Sequence, residues 1–238
     1  MPDIIYLTFS YRFIMNKKPL ETHRDQLFAD LVAEPSQFSF NEAVVDVFPD
    51  MIQRSVPGYG TVVRMTGVLT EQHAKEGTHV YDLGCSLGES IRAAELAIGD
   101  RACHLIGVDN SPAMIEKATT RDIYDTLEVA DIYSLDKAKN LYDGIIAAGV
   151  FEHIGDPECI FNVARKFLKP SGCFVFTAEE NTTSELGVNS AGYYTHSRDY
   201  LSAKARSNGF TVCEMRAVQT RCEGATAISG LCSVLRKN

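Results

Sequence analysis

From residue 78 onward, apolar runs of strand length alternate with amphipathic stretches of helix length. Residues 79–83, 104–108, 127–130, 142–148 and 173–178 read as strands. Glu89 to Ile98, Pro112 to about Thr120, Pro157 to Leu168 and Ser197 to Ser207 read as helices. Such alternation marks a mostly parallel sheet with helices on both faces. The fourth strand carries Ile145-Ile146-Ala147-Ala148 and suits the sheet centre. Asn110-Ser111-Pro112 opens a helix with capping residues and a first-turn proline, while Lys169-Pro170-Ser171-Gly172 and Asn208-Gly209 close helices. Phe210 to Arg216 and Ile228 to Leu235 read as a final hairpin, which completes a seven-stranded α/β sheet.

Upstream the spacing is helical. Asn41 caps a helix through Val47, and Pro49 marks its end or a new first turn, with helix again over Met51 to Val56. Pro57-Gly58 breaks the pattern, and Thr61 to Ala74 resumes it with Val62, Val63, Met65, Val68 and Leu69. Residues 41–75 are therefore expected to form a helical cap on a core spanning 76–238, within one domain. Residues 1–40 are expected to form an N-terminal arm, with a short helix near Arg24 to Ala33.

Where the first strand meets its helix, the chain reads Val80-Tyr81-Asp82-Leu83-Gly84-Cys85-Ser86-Leu87-Gly88-Glu89. Gly84 permits a sharp turn, and small residues at 85, 86 and 88 let a ligand approach the backbone. The helix that follows offers unpaired N–H groups at its start. Asp109 ends the second strand, where a carboxylate suits the two hydroxyls of a ribose. Turn and carboxylate together describe a nucleoside-binding half-fold. The dinucleotide pattern G-x-G-x-x-G does not fit, because Ser86 holds its second glycine position. With Asp82 two residues before Gly84, the turn resembles the D-x-G-x-G-x-G turn of class I methyltransferases, which bind S-adenosylmethionine (SAM).

Composition narrows the picture. The net charge of −8 argues against a broad basic surface for nucleic acid. Seven cysteines form no C-x-x-C pair, and several sit in apolar runs, which points to reduced thiols in a cytoplasmic protein and gives a metal site little support. No transmembrane run is present. Near the start, Lys17 and Lys18 follow the apolar residues rather than precede them, a poor signal peptide; an extra strand, an arm or a misassigned start all fit.

Longer runs carry a second resemblance. Phe48-Pro49-Asp50-Met51-Ile52-Gln53-Arg54-Ser55-Val56-Pro57-Gly58-Tyr59, Tyr81 to Gly88, and Asp109-Asn110-Ser111-Pro112-Ala113-Met114-Ile115-Glu116 resemble the carboxy-SAM synthase family. His23-Arg24-Asp25-Gln26-Leu27-Phe28 resembles that family's start. The resemblance implies a Rossmann-like class I methyltransferase fold and conversion of SAM and prephenate to carboxy-SAM, used by a partner enzyme on a tRNA wobble uridine. It implies cofactor contacts at Tyr59, Gly84, Cys85, Ser86, Asp109, Asn110, Asp131 and Ile132. Arg54, Asp82, Gly88, Met114, Ala148 and Gly149 complete the candidate cofactor set. Asp109 would take the ribose, while Asp131 and Ile132 would flank the adenine.

The second half departs from that family. Ala148 stands where the family has an asparagine, and the slot of its carboxylate-holding arginine falls at Lys204, with Arg206 two residues on. Lysine lacks the bidentate fork of arginine. Val150 to Ile154 and Phe167 to Gly172 resemble ordinary small-molecule or protein methyltransferases instead, and Gly192 to Ser197 resembles a segment of methyltransferases often found beside tetratricopeptide repeats. Glu152, His153 and His196 are the candidate catalytic bases, since a base is needed where the acceptor carries a proton of high pKa. His153 reads equally as a loop-closing residue, and His196 as a helix-start residue. Tyr193 and Tyr194 would line an acceptor pocket or pack as core; Lys204 and Arg206 would hold an anionic substrate or form a solvated face. Three functions fit: a methyltransferase acting on a small molecule or protein, a carboxy-SAM synthase, and a non-catalytic SAM-binding subunit. The expected ligands are SAM, S-adenosylhomocysteine or carboxy-SAM. The expected partners are a small-molecule substrate and a second copy of the chain, with neither nucleic acid nor membrane.

Overall fold

The computed structural model describes residues 42–56, 58–100, 102–135, 141–190, 192–223 and 226–238. The arm expected over 1–40 lies outside the described residues. In chain order the elements are α1 (Glu42–Ser55), α2 (Tyr59–Glu71), β1 (His79–Leu83), α3 (Glu89–Ile98), β2 (His104–Asp109), α4 (Pro112–Thr119), β3 (Thr126–Val129), β4 (Tyr142–Ala147), α5 (Glu158–Phe167), β5 (Leu168–Glu179), β6 (Leu186–Val188), β7 (Tyr194–His196), α6 (Arg198–Ser207), β8 (Phe210–Glu223) and β9 (Thr226–Lys237). Seven strands form one sheet in the order β3-β2-β1-β4-β5-β9-β8. Neighbours from β3 through β5 pair in parallel, and β9 runs antiparallel to both β5 and β8.

The sheet is buried on both faces because its central strands alternate two apolar sets. Tyr81, Leu83, Ile145, Ala147, Phe174 and Phe176 face Ile160 and Phe161 of α5 and Leu201 of α6. Val80 and Ile146 face Ile91 and Ala94 of α3, and Val175 faces Leu69 of α2. Phe151, in a short 3₁₀ turn just after β4, stacks on Phe176 at 4.4 Å between ring centroids and is fully buried. That burial, worth about 1.5–3 kcal/mol, anchors the turn carrying Glu152 and His153.

Four features differ from, or add to, the sequence expectation. Helix α1 continues through Pro49 rather than ending there. It packs Val44, Val45 and Phe48 on Leu87 and Met114, and Asp46 accepts from Lys117 of α4 at 3.0 Å. Tertiary burial outweighs the one helical hydrogen bond that the proline lacks. The β8–β9 hairpin reaches further than 216 and 228. A small hairpin, β6–β7, lies outside the main sheet, in a stretch where the sequence pattern named no element. At the start of β5, Leu168 pairs with Tyr142 and Cys173 with Gly144, so the expected 169–172 turn bulges out of the ladder.

The small hairpin is fastened by His196. Its Nε2 lies 2.9 Å from the Gly155 carbonyl oxygen, and its Nδ1 is buried without a hydrogen-bond partner. Burial lowers its pKa below the ordinary 6.5, against the carbonyl contacts and Asp156, which favour the cation. The unfolded chain therefore binds a proton more readily, so stability falls as pH drops below 6.5 and stops falling below the folded pKa. We predict that His196→Gln flattens the dependence of chemical-denaturation stability on pH between 7 and 5, by at most about 1.4 kcal/mol per pH unit. An unchanged slope would contradict the neutral, buried imidazole.

Candidate active site

The turn after β1 is built from positive-φ residues. Gly84 (φ 68°) and Cys85 both donate to the Val108 carbonyl at 2.9 Å, and Gly88 (φ 83°) starts α3. A Cβ at Gly84 would come within 2.7 Å of the Val150 side chain. Ser86 adopts φ 47°, a left-handed conformation uncommon outside glycine. What holds it is Asp109, whose Oδ2 accepts from the Ser86 N–H and Oδ1 from the Ser111 N–H, both at 2.9 Å. Burial raises the Asp109 pKa, and these amides together with that of Asn110 oppose the shift. The result is an oriented carboxylate at a cavity wall, suited to accept from a pair of vicinal hydroxyls.

At the end of β3, Asp131 caps a 3₁₀ turn over Ile132–Ser134, its Oδ1 accepting from the Tyr133 N–H at 2.9 Å. Beyond β4, Gly149 (φ 72°) donates to Thr177 Oγ1 at 2.9 Å. His153 meets the Tyr193 ring edge-on at 5.5 Å. Burial lowers the His153 pKa, and the Asp109 charge acts in the opposite sense. A neutral imidazole facing a cavity can accept a proton.

These residues surround a cavity of about 780 Å³ at the carboxyl edge of the sheet, within the range of small-molecule sites. Of the candidates, Tyr59, Gly84, Ser86, Asp109, Asn110, Met114, Asp131, Ile132, Ala148 and Gly149 line it, as do Glu152, His153 and Tyr193. The Arg54 side chain lies outside the described residues.

Seven candidates lie elsewhere. Asp82 is buried beneath the turn, accepts from the Tyr124 hydroxyl at 2.9 Å, and has its pKa pushed up to about 7 by burial. Cys85 is buried, its thiol pKa raised mainly by that burial, and so serves as packing. Gly88 abuts Tyr124: a Cβ there would come within 2.8 Å of the ring. Tyr194 packs against Gly155 in the same way, at 2.9 Å. His196 is the fastener described above, not a group open to substrate. Lys204 forms ion pairs with Asp156 and Glu158, each at 3.1 Å, and Arg206 is exposed on the last turn of α6. Neither lines the cavity.

Other lining residues escaped the sequence reading. Phe48, Met51 and Ile52 roof the cavity from α1, and their spacing of three and four was the available signal. Thr177, Glu179 and Thr220 have no local motif; only the pairing of β5, β9 and β8 brings them to the site. Glu179 is buried and accepts from Asn189 at 2.9 Å. Among the described residues, no group of three or more His, Cys, Asp or Glu side chains is placed to hold a metal. No helix among them is long and apolar enough to cross a membrane.

An oriented carboxylate beside a tight glycine turn, both at the wall of this cavity, fits an adenosyl group. A family profile described as a methyltransferase domain matches residues 74–220. The chain is 37% identical over 178 residues to a carboxy-S-adenosyl-L-methionine synthase of Klebsiella pneumoniae (strain 342), covering 71% of this chain and 72% of that protein. A Geobacter sp. (strain M21) protein of the same description is 48% identical over 118 residues, 47% of this chain and 48% of the relative. A 1,6-didemethyltoxoflavin-N1-methyltransferase from Burkholderia thailandensis, solved with S-adenosylhomocysteine, shares the fold at TM-score 0.60 and 17% identity, covering 87% of this chain and 92% of that one. With the profile spanning the glycine turn, Asp109 and the loop after β4, the chain belongs to the class I SAM-dependent methyltransferase family, whose cofactor is SAM.

Proposed function

We propose that this enzyme transfers a methyl group from SAM to a small-molecule acceptor bound between His153 and Tyr193. The observation that carries this over carboxy-SAM synthesis is the position of Lys204. The side chain that would have to hold the added carboxylate is engaged by Asp156 and Glu158 outside the cavity.

SAM supplies an electrophilic methyl group on a sulfonium. Methyl transfer chiefly requires the two reacting atoms to be held close and aligned. In this reading Asp109 holds the ribose hydroxyls, Asp131 and Ile132 flank the adenine, and Tyr59 covers the ligand from the cap. The neutral His153 imidazole accepts the acceptor's proton at a ring nitrogen. Glu152, on the same 3₁₀ turn, lines that side of the cavity. Helix α1 and Tyr193 exclude water from the reacting atoms.

Carboxy-SAM synthesis is the second reading, and what favours it is the 48% identity to the Geobacter relative. Incubating the protein with SAM and prephenate separates the two. Our proposal predicts no carboxy-SAM by mass spectrometry and unchanged SAM affinity in Lys204→Ala; accumulation of carboxy-SAM that Lys204→Ala abolishes would overturn it. For the cofactor assignment, Asp109→Asn should weaken S-adenosylhomocysteine binding by about 1.5–3 kcal/mol, read by calorimetry. Affinity within twofold of the parent would remove Asp109 from the ribose.

A further inference from the structure

Near the tip of the β8–β9 hairpin the ladder gains a residue. Gln219 faces Ser229 and Arg221 faces Ile228, so Thr220 is the extra residue of a β-bulge. Its carbonyl accepts from the Gly58 N–H at 3.1 Å, and its hydroxyl donates to the Ile228 carbonyl at 3.2 Å. Two glycines far apart in sequence make room for it. At Gly230 a Cβ would overlap the Thr220 methyl. At Gly58 a Cβ would overlap the Gln219 carbonyl oxygen and lie 2.7 Å from that of Thr220. Gly58 has an ordinary φ of −81°, so what requires glycine there is the close approach and not backbone freedom.

This contact joins the cap to the far edge of the sheet. Gly58 is the N-cap of α2, and its neighbour Tyr59 lines the cavity, as does Thr220. The other end of the cap is tied to α4 through Asp46–Lys117 and the Phe48 cluster. The cap thus spans the carboxyl edge from the β2 side to β8, with the cavity beneath it.

We propose that Gly58 and the Thr220 bulge form a pin that holds the cap closed, and that the pin positions Tyr59 and sets affinity for the adenosyl cofactor. The inference rests on the cofactor reading of the cavity and is independent of the acceptor. When only the closed cap binds well, apparent affinity scales with the closed fraction, so loosening the pin raises Kd.

The test compares Gly58→Ala with Gly67→Ala. Both lie in or beside α2, and both would crowd backbone, since a Cβ at Gly67 comes within 2.6 Å of the Ala93 backbone. Only Gly58 touches the pin. With folding checked by circular dichroism, Gly58→Ala should raise the S-adenosylhomocysteine Kd roughly tenfold or more, while Gly67→Ala lowers Tm and leaves Kd within about twofold. A Gly58→Ala Kd within twofold of the parent, or an equal rise in both variants, overturns the pin. Should Gly58→Ala fail to fold, hydrogen exchange on the unaltered chain decides. Joint protection of 56–62, 84–88 and 218–222 by S-adenosylhomocysteine supports the pin. Protection of 84–88 alone overturns the pin and leaves the cofactor site standing; protection nowhere overturns both.

Discussion

Two backbone amides, those of Ser86 and Ser111, converge on the carboxylate of Asp109, and the site is arranged around that contact. It ties the end of β2 to the turn after β1 and to the start of α4. It also offsets the strain of Ser86 at positive φ, of the order of 1–2 kcal/mol for a residue with a side chain. A carboxylate fixed in this way has little freedom left to lose when a ligand arrives. The same arrangement leaves Asp82 to act from below, where Tyr124 satisfies it and burial pushes its pKa up to about 7.

Around this fixed centre, the part of the cavity that carries Glu152 and His153 depends on aromatic packing. Phe151 is sealed among Phe161, Phe174 and Phe176, and its neighbours Glu152 and His153 therefore reach the cavity from a rigid turn. His196 joins the small β6–β7 hairpin to the same loop through the Gly155 carbonyl. The roof is supplied by the cap. One wall of the site is thus set by backbone hydrogen bonds, a second by core packing and a third by the docking of two helices.

What could be read in the sequence follows this division. The bounds of β1 and α3 matched the expectation because Gly84 and Gly88 mark real breaks in backbone conformation. Asp109 could be placed at the cavity because ligands bind at strand ends in a parallel sheet, and the family resemblance pointed to Asn110 and Asp131, which line the same cavity. That Lys204 and His196 lie off the cavity was not legible, because their partners, Asp156 and Gly155, lie more than forty residues away and no local pattern announces them. The reach of β8 was hidden by Glu214, Arg216 and Gln219, polar residues of the kind an edge strand carries. Gly230, inside an apolar strand run, was the one visible hint of a close approach at the Thr220 bulge.

Mass spectrometry of the nucleoside that copurifies with the protein distinguishes a cavity that binds the unmodified methyl donor from one that binds its carboxylated derivative. SAM or S-adenosylhomocysteine is the expected species. Carboxy-SAM as the bound species would contradict the methyl-transfer reading.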